Sequence, residues 1–124
     1  PAAEVDSRGV HAANLDGMRR AVQGLSVTPN YVLTDGYAIE GLAIPSVAVW
    51  KGDQVVTCIS AASIIAKVTR DRIMVGHDQA YPGYGFARHK GYGTALHQEA
   101  LRRHGVTPLH RTSFAPIAAL LAAR

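Results

Sequence analysis

Ile59-Ser60-Ala61-Ala62-Ser63-Ile64-Ile65-Ala66-Lys67-Val68-Thr69-Arg70-Asp71-Arg72-Ile73-Met74 is the stretch on which the fold turns. Ala62, Ile65, Ala66, Thr69 and Ile73 recur at i, i+3, i+4, i+7 spacing, which predicts a helix with one mostly apolar face for packing. Ser60, Ser63, Lys67 and Asp71 fall on the opposite face, close to one line along the axis. Ser60 suits the N-cap, where a hydroxyl accepts from an unpaired first-turn amide. Asp71 lies about 16 Å further along, at ~1.5 Å per residue. The polar line reads either as a surface face with a Lys67–Asp71 ion pair or as the wall of a site. Against the first, the lysine precedes the acid, which is the weaker i,i+4 order, and Arg70 and Arg72 flank Asp71.

Toward the C-terminus, residues 75–80 continue the helix or form a connection. Next comes Tyr81-Pro82-Gly83-Tyr84-Gly85-Phe86-Ala87-Arg88-His89-Lys90-Gly91-Tyr92-Gly93, with four glycines, four aromatics and three basic or titratable side chains. No helix or strand period survives there. Glycines let backbone approach a ligand, aromatics offer stacking surfaces and Arg/Lys offer phosphate contacts. The stretch therefore reads as a binding loop, with a plain surface loop as the alternative. Thr94 caps a helix ending at His104, with Gly105 as its stop. Ser113 is placed as the cap of a last helix over 114–123, with Pro116 tolerated in its first turn.

Toward the N-terminus, Val55-Val56-Thr57 reads as extended and Lys51-Gly52-Asp53 as a turn. Ser46–Trp50 and Tyr31–Thr34 read as strands, and the second runs into Asp35-Gly36. A carboxylate there stands at the C-terminal edge of a sheet, where open α/β sheets bind ligands; Asp-Gly is equally a turn dipeptide. Residues 11–25 read as a helix with a stripe of Leu15, Met18, Val22 and Leu25, weakened by Gly17. The order is α/β, with a sheet of two or three strands that covers its apolar face poorly.

The 124 residues, 48% hydrophobic and 18% charged, suit one globular domain and exclude a disordered chain. No apolar run reaches the roughly 20 residues of a membrane span. The single Cys58 excludes an internal disulfide framework, fits a reducing, cytoplasmic compartment and reads as a small core residue. The six histidines show no tight ligand spacing and read as surface or packing residues. Net charge is +4. Residues 1–62 carry four Lys/Arg against six Asp/Glu, and residues 63–124 nine against three, so the balance runs from −2 to +6. A basic half suits a polyanion.

Taken in order, Val32-Leu33-Thr34-Asp35-Gly36, the stretch Ile59 to Asp71, Tyr84-Gly85-Phe86, His89-Lys90-Gly91-Tyr92-Gly93-Thr94 and His110-Arg111-Thr112-Ser113-Phe114-Ala115-Pro116 resemble bacterial ribonuclease HII, the type 2 ribonuclease H. The resemblance covers essentially the whole chain. It implies a ribonuclease H-like fold and a metal-dependent endonuclease that cuts the RNA strand of RNA/DNA hybrids and single ribonucleotides embedded in duplex DNA. Four carboxylates hold Mg²⁺ or Mn²⁺ in that family. By position, Asp35 resembles the third and Asp71 the fourth. Tyr92 resembles the tyrosine that packs on the sugar at the RNA–DNA junction. Lys90, Lys67, Ser60, Ser63, Arg70 and His89 are the further substrate-facing positions it implies.

One departure bears on activity. The family's opening strand carries an Asp-Glu pair, followed by a Gly-Arg-Gly loop, and neither motif occurs here. Residues 4–10 resemble a later helical segment instead. The expectation is a ribonuclease H-like domain truncated at its N-terminus over 1–124, its helical part from about 94 onward, the full-length protein a monomer. With half of the carboxylates, this chain alone is expected to cut weakly or not at all. The alternative is a non-catalytic family member that binds nucleic acid or a partner.

Overall fold

The computed structural model describes residues 1–123. Among them the elements run α1 (Ala2–Arg8), α2 (Val10–Gln23), β1 (Val32–Asp35), β2 (Ser46–Val49), α3 (Gly52–Val55), α4 (Thr57–Ala80), α5 (Phe86–His89), α6 (Ala95–His104) and α7 (Ala115–Ala122). The α/β class expected from the sequence is what the chain shows. The chain divides into two compact units, one made of Glu4–Ile64 and the other of Pro1–Ala3 with the residues from Ile65 on.

In the unit Glu4–Ile64, β1 and β2 pair in parallel, with Val32 opposite Ser46 and Asp35 opposite Val49. The two-residue period buries Val32 and Thr34 and turns Leu33 and Asp35 outward. The Thr34 hydroxyl is satisfied by donating to the Tyr37 carbonyl at 2.6 Å. No residue of α2 is buried, so the Leu15–Val22 stripe does not close a core. Polar clamps act there instead. Arg8 reaches Asp16 at 2.8 Å and Arg20 reaches Glu4 at 3.1 Å. The Arg8 hydrogen bond holds the Asp16 carboxyl below its ordinary range.

The remaining unit has a core of its own. Tyr84, Phe86, Ala100, Leu101 and Ile117 are buried together, with Met74, Tyr81, Val106, Leu109 and Leu120 packed against them. Tyr84 and Phe86 stack at 5.2 Å, and the Tyr84 hydroxyl donates to the Gly105 carbonyl at 2.9 Å. Helix α6 carries the expected signals: Thr94 Oγ1 accepts from the His97 amide, basic residues fill the last turn and Gly105 ends it at φ 82°.

Five local expectations are corrected. Helix α4 starts at Thr57, so Ser60 is interior and its amide donates to the Val56 carbonyl at 2.9 Å; it is no N-cap. Residues 61–70 are exposed throughout, so the apolar face of Ala62, Ile65, Ala66 and Thr69 is not buried, and Ile73 is 54% exposed. Cys58 is exposed rather than core. The cap position of α7 falls on Phe114, with Ser113 one residue ahead. Residues 52–55, read as turn and extended chain, form the short helix α3.

Candidate nucleic-acid and metal site

Lys67 and Asp71 stand one turn apart on α4, and their ion pair forms at 2.8 Å. Arg70 approaches the other Asp71 oxygen at 3.7 Å. The hydrogen bond from Lys67 is the main reason the Asp71 carboxyl is held below its ordinary range, helped by the charges of Lys67, Lys90 and Arg70. Reciprocally, Asp71 raises the Lys67 ammonium. Asp71 is therefore an ionised carboxylate at neutral pH inside a ring of cations. With Val68, Arg72, Val75 and Lys90 it lines an open depression of about 380 Å³.

The loop after α5 meets this part of α4 through a glycine. Gly91 has φ 80°, and a Cβ there would stand 3.3 Å from Met74 Cε and 3.5 Å from Arg70 Nη2. Both constraints favour glycine. The next residue, Tyr92, is 61% exposed and lies under the Arg70 guanidinium at 5.1 Å from ring centroid to Cζ. Lys90 takes a left-handed backbone, φ 51° and ψ 30°, to end α5. A β-branch-free but non-glycine residue pays about 1 kcal/mol for that conformation. Its ammonium donates to the Ala87 carbonyl.

The aromatic loop is thus sorted by burial. Tyr84 and Phe86 are core and Tyr81 packs against that core; of the four aromatics expected to offer stacking surfaces, only Tyr92 is exposed. His89 is also turned inward. Its Nε2 contacts the Tyr84 carbonyl at 2.9 Å and its Nδ1 accepts from the Gly91 amide at 3.0 Å. Both ring nitrogens are engaged by backbone, so His89 shapes the loop and has no nitrogen to offer a ligand.

In the unit Glu4–Ile64, Asp35 ends β1, exposed, where the Gly36 amide donates to Val49 at 2.9 Å. Its Oδ1 accepts from the Gly52 amide at 2.8 Å. That bond ties the carboxylate to the start of α3, and a side chain at Gly52 would meet Ile59 Cδ1 at 2.6 Å. Ser63 donates to the Ser60 carbonyl at 2.8 Å. Asp71, Lys67, Arg70, Lys90 and Tyr92 are gathered within the unit from Ile65 on; Asp35, Ser60 and Ser63 belong to Glu4–Ile64.

The donors at Asp35 and Asp71 are carboxylate oxygens, the hard ligands that Mg²⁺ and Mn²⁺ take. Among the described residues no group of three or more His, Cys, Asp or Glu side chains is disposed to hold a metal. The fit is therefore one of donor chemistry alone, two carboxylates' worth. Nor is any described helix long and apolar enough to cross a membrane. Met74, which backs Gly91, and Val68 and Val75, which line the depression with Arg72, carried no signal in the sequence beyond proximity to Asp71 along α4.

Comparison with known proteins adds an independent line. The profile of the Ribonuclease HII family matches residues 1–117. A Ribonuclease HII of Salinispora arenicola is 59% identical over 118 residues, which is 95% of this chain and 44% of that protein. One from Mycobacterium avium is 61% identical over 114 residues, 92% of this chain and 50% of that protein. One from Acidothermus cellulolyticus is 61% identical over 117 residues, 94% of this chain and 38% of that protein. The chain spans half or less of the length of these relatives.

Proposed function

Because the chain belongs to the ribonuclease HII family, we propose that it carries part of a metal-dependent endonuclease acting on the RNA strand of RNA/DNA hybrids and on ribonucleotides embedded in duplex DNA. The observation that carries this reading is the gathering of Asp71, Lys67, Arg70, Lys90 and the exposed Tyr92 ring around one face of α4. A nuclease needs a carboxylate for its cation beside cations for phosphate and a flat surface for sugar or base.

In this reading the carboxylate oxygens of Asp35 and Asp71 would be the ones to hold Mg²⁺ or Mn²⁺, which would supply activation of water and charge stabilisation at the leaving oxygen. Lys67 and Arg70 keep Asp71 ionised and oriented. Tyr92 presents its ring to the nucleotide, backed by Arg70. A 2′-hydroxyl distinguishes RNA from DNA at such a site. The strained backbone of Lys90 fits a residue kept for its side chain rather than for the turn it makes.

A second reading, binding without cleavage, rests on the Lys67, Arg70, Lys90 and Tyr92 surface, which can hold a nucleic-acid backbone without a metal. One assay separates the two. A labelled RNA/DNA hybrid is incubated in Mn²⁺ with this chain, with the portion of the Salinispora arenicola relative outside the match, and with both. The nuclease reading expects cleavage only with both, abolished by Asp71→Asn. Binding with no cleavage in the combined sample favours the second reading, and robust cleavage by this chain alone that survives Asp35→Asn contradicts the first.

A further inference from the structure

Behind the Tyr92 loop, outside the surface just described, lies a line of polar contacts running through two buried histidines. Thr107 N–H donates to His110 Nδ1 at 3.0 Å, and the Thr107 hydroxyl lies 2.9 Å from the same nitrogen. His110 Nε2 meets His97 Nε2 at 3.1 Å. His97 Nδ1 meets the Tyr92 carbonyl at 3.0 Å. His97 and His110 are each 7% exposed.

Donor and acceptor logic leaves the neutral pair one arrangement. The Tyr92 carbonyl only accepts, so His97 carries its proton on Nδ1. His97 Nε2 is then bare and needs a donor, which puts the His110 proton on Nε2. His110 Nδ1 is bare in turn, and the Thr107 amide faces it as a donor. The reverse direction, with His110 Nδ1–H donating to the Thr107 carbonyl at 3.3 Å, leaves neutral His97 with a lone pair aimed at the Tyr92 oxygen. That reversal becomes satisfied only if His97 takes a second proton, and burial opposes this for both rings. The groups packed around the pair are the His89 ring, stacked on His97 at 4.3 Å, and the Tyr84 and Phe86 rings. None of these contacts brings a carboxylate that would favour a cation.

We propose that His97 is a positioning residue for Tyr92: it grips the Tyr92 carbonyl through Nδ1–H, in a tautomer dictated by His110 and the Thr107 amide. The loop is then clamped on both sides of the Gly91–Tyr92 peptide. His89 Nδ1 holds the Gly91 amide and His97 holds the Tyr92 carbonyl, so two ring nitrogens on two helices fix the peptide units that aim the exposed ring. The Thr94 cap reinforces the geometry, since its Oγ1 accepts from the His97 amide itself. The consequence for substrate affinity rests on the reading of Tyr92 as a substrate-facing ring; the tautomer assignment does not.

The test is imidazole ¹⁵N correlation spectroscopy on the chain at pH 8. The expected result is a proton on Nδ1 of His97 and on Nε2 of His110. A proton on Nε2 of His97 overturns the proposal, and this measurement on the unaltered chain needs no variant to fold. Two variants then separate positioning from mere packing. His110→Gln can still donate to His97 Nε2 and is expected to keep the His97 tautomer, the Tyr92 carbonyl ¹³C shift and hybrid affinity within about twofold. His110→Asn removes that donor and is expected to move the carbonyl shift and weaken hybrid binding about tenfold, the scale of one hydrogen bond. Equal losses in both variants, or no shift of the carbonyl in either, overturn positioning. If the unaltered chain binds no hybrid, the substrate reading fails while the tautomer result still decides the relay.

Discussion

The two units solve the same folding problem in opposite ways. From Ile65 on, ring stacking, a hydroxyl-to-carbonyl bond at Tyr84 and three buried imidazoles close a core. In Glu4–Ile64, a two-stranded sheet buries Val32 and Thr34 on one face and leaves Leu33 and Val47 exposed on the other. Its helices α1 and α2 bury nothing and are held by ion pairs at the surface. One unit thus closes a contiguous aromatic and aliphatic cluster, while the other buries Val32, Ile39 and Ile59 and adds polar clamps and a short ladder. The lesson for function is that the loop bearing Tyr92 is built on the unit with its own core, whereas Asp35 rests on the thin sheet and a single bond to the Gly52 amide.

Emptying the core is the harshest way to probe that contrast. Phe86 is 2% exposed, and Phe86→Ala is expected to cost about 3–5 kcal/mol, seen as loss of the near-UV signal and of amide protection over 84–104. Val32→Ala, on the two-stranded sheet, is expected to cost only about 1–2 kcal/mol. Similar losses for the two would erase the contrast.

Acid comes next. Burial holds His97 and His110 below the ordinary histidine value of 6.5, so the unfolded chain takes up their protons first. Their contribution is complete above about pH 6.5, declines as pH falls below it and is gone once the folded-state values are passed. Thermal melts are expected to drop between pH 7 and pH 5, and His110→Phe is expected to flatten that slope. A slope unchanged by the variant would place the acid sensitivity elsewhere.

Lys90→Gly exchanges function for stability. Relief of the left-handed backbone is expected to offset the lost lysine cap and raise stability by up to about 1 kcal/mol, while hybrid affinity falls. A clear loss of stability would mean that the ammonium on Ala87 outweighs the strain. The smallest effect is expected on the open face of α4: Ile65 is 68% exposed, so Ile65→Glu should change stability by no more than about 0.5 kcal/mol. A large loss would show that this face is covered in solution.

What the sequence made legible follows from how local the physics is. The Thr94 cap and the Gly105 stop are set by neighbours within about four residues, and each was readable; the Lys67–Asp71 pair, which the order of lysine before acid argued against, forms all the same. Burial is not local. The apolar period of α4 is real, yet nothing in a period says whether a partner surface exists, and residues 61–70 are exposed. The aromatic loop misled in the same way: Tyr84 and Phe86 carry the composition of a binding loop but fill the core, leaving Tyr92 for the surface. The histidine relay was invisible because His97 and His110 are thirteen residues apart and meet only through α6 and the loop that follows it. Asp35 and Asp71 stood out by position and chemistry; the Gly52 bond that orients Asp35 required the fold.

The surface of Asp71, Lys67, Arg70, Lys90 and Tyr92 is proposed to read an RNA/DNA hybrid. Fluorescence anisotropy of a labelled hybrid, titrated with this chain across a range of salt concentrations, tests it most directly. Binding is expected at low salt and weakens steeply as salt rises, with a loss of roughly tenfold or more for Tyr92→Ala, the scale of one stacked base. No binding at low salt, or binding that Tyr92→Ala leaves untouched, would contradict it.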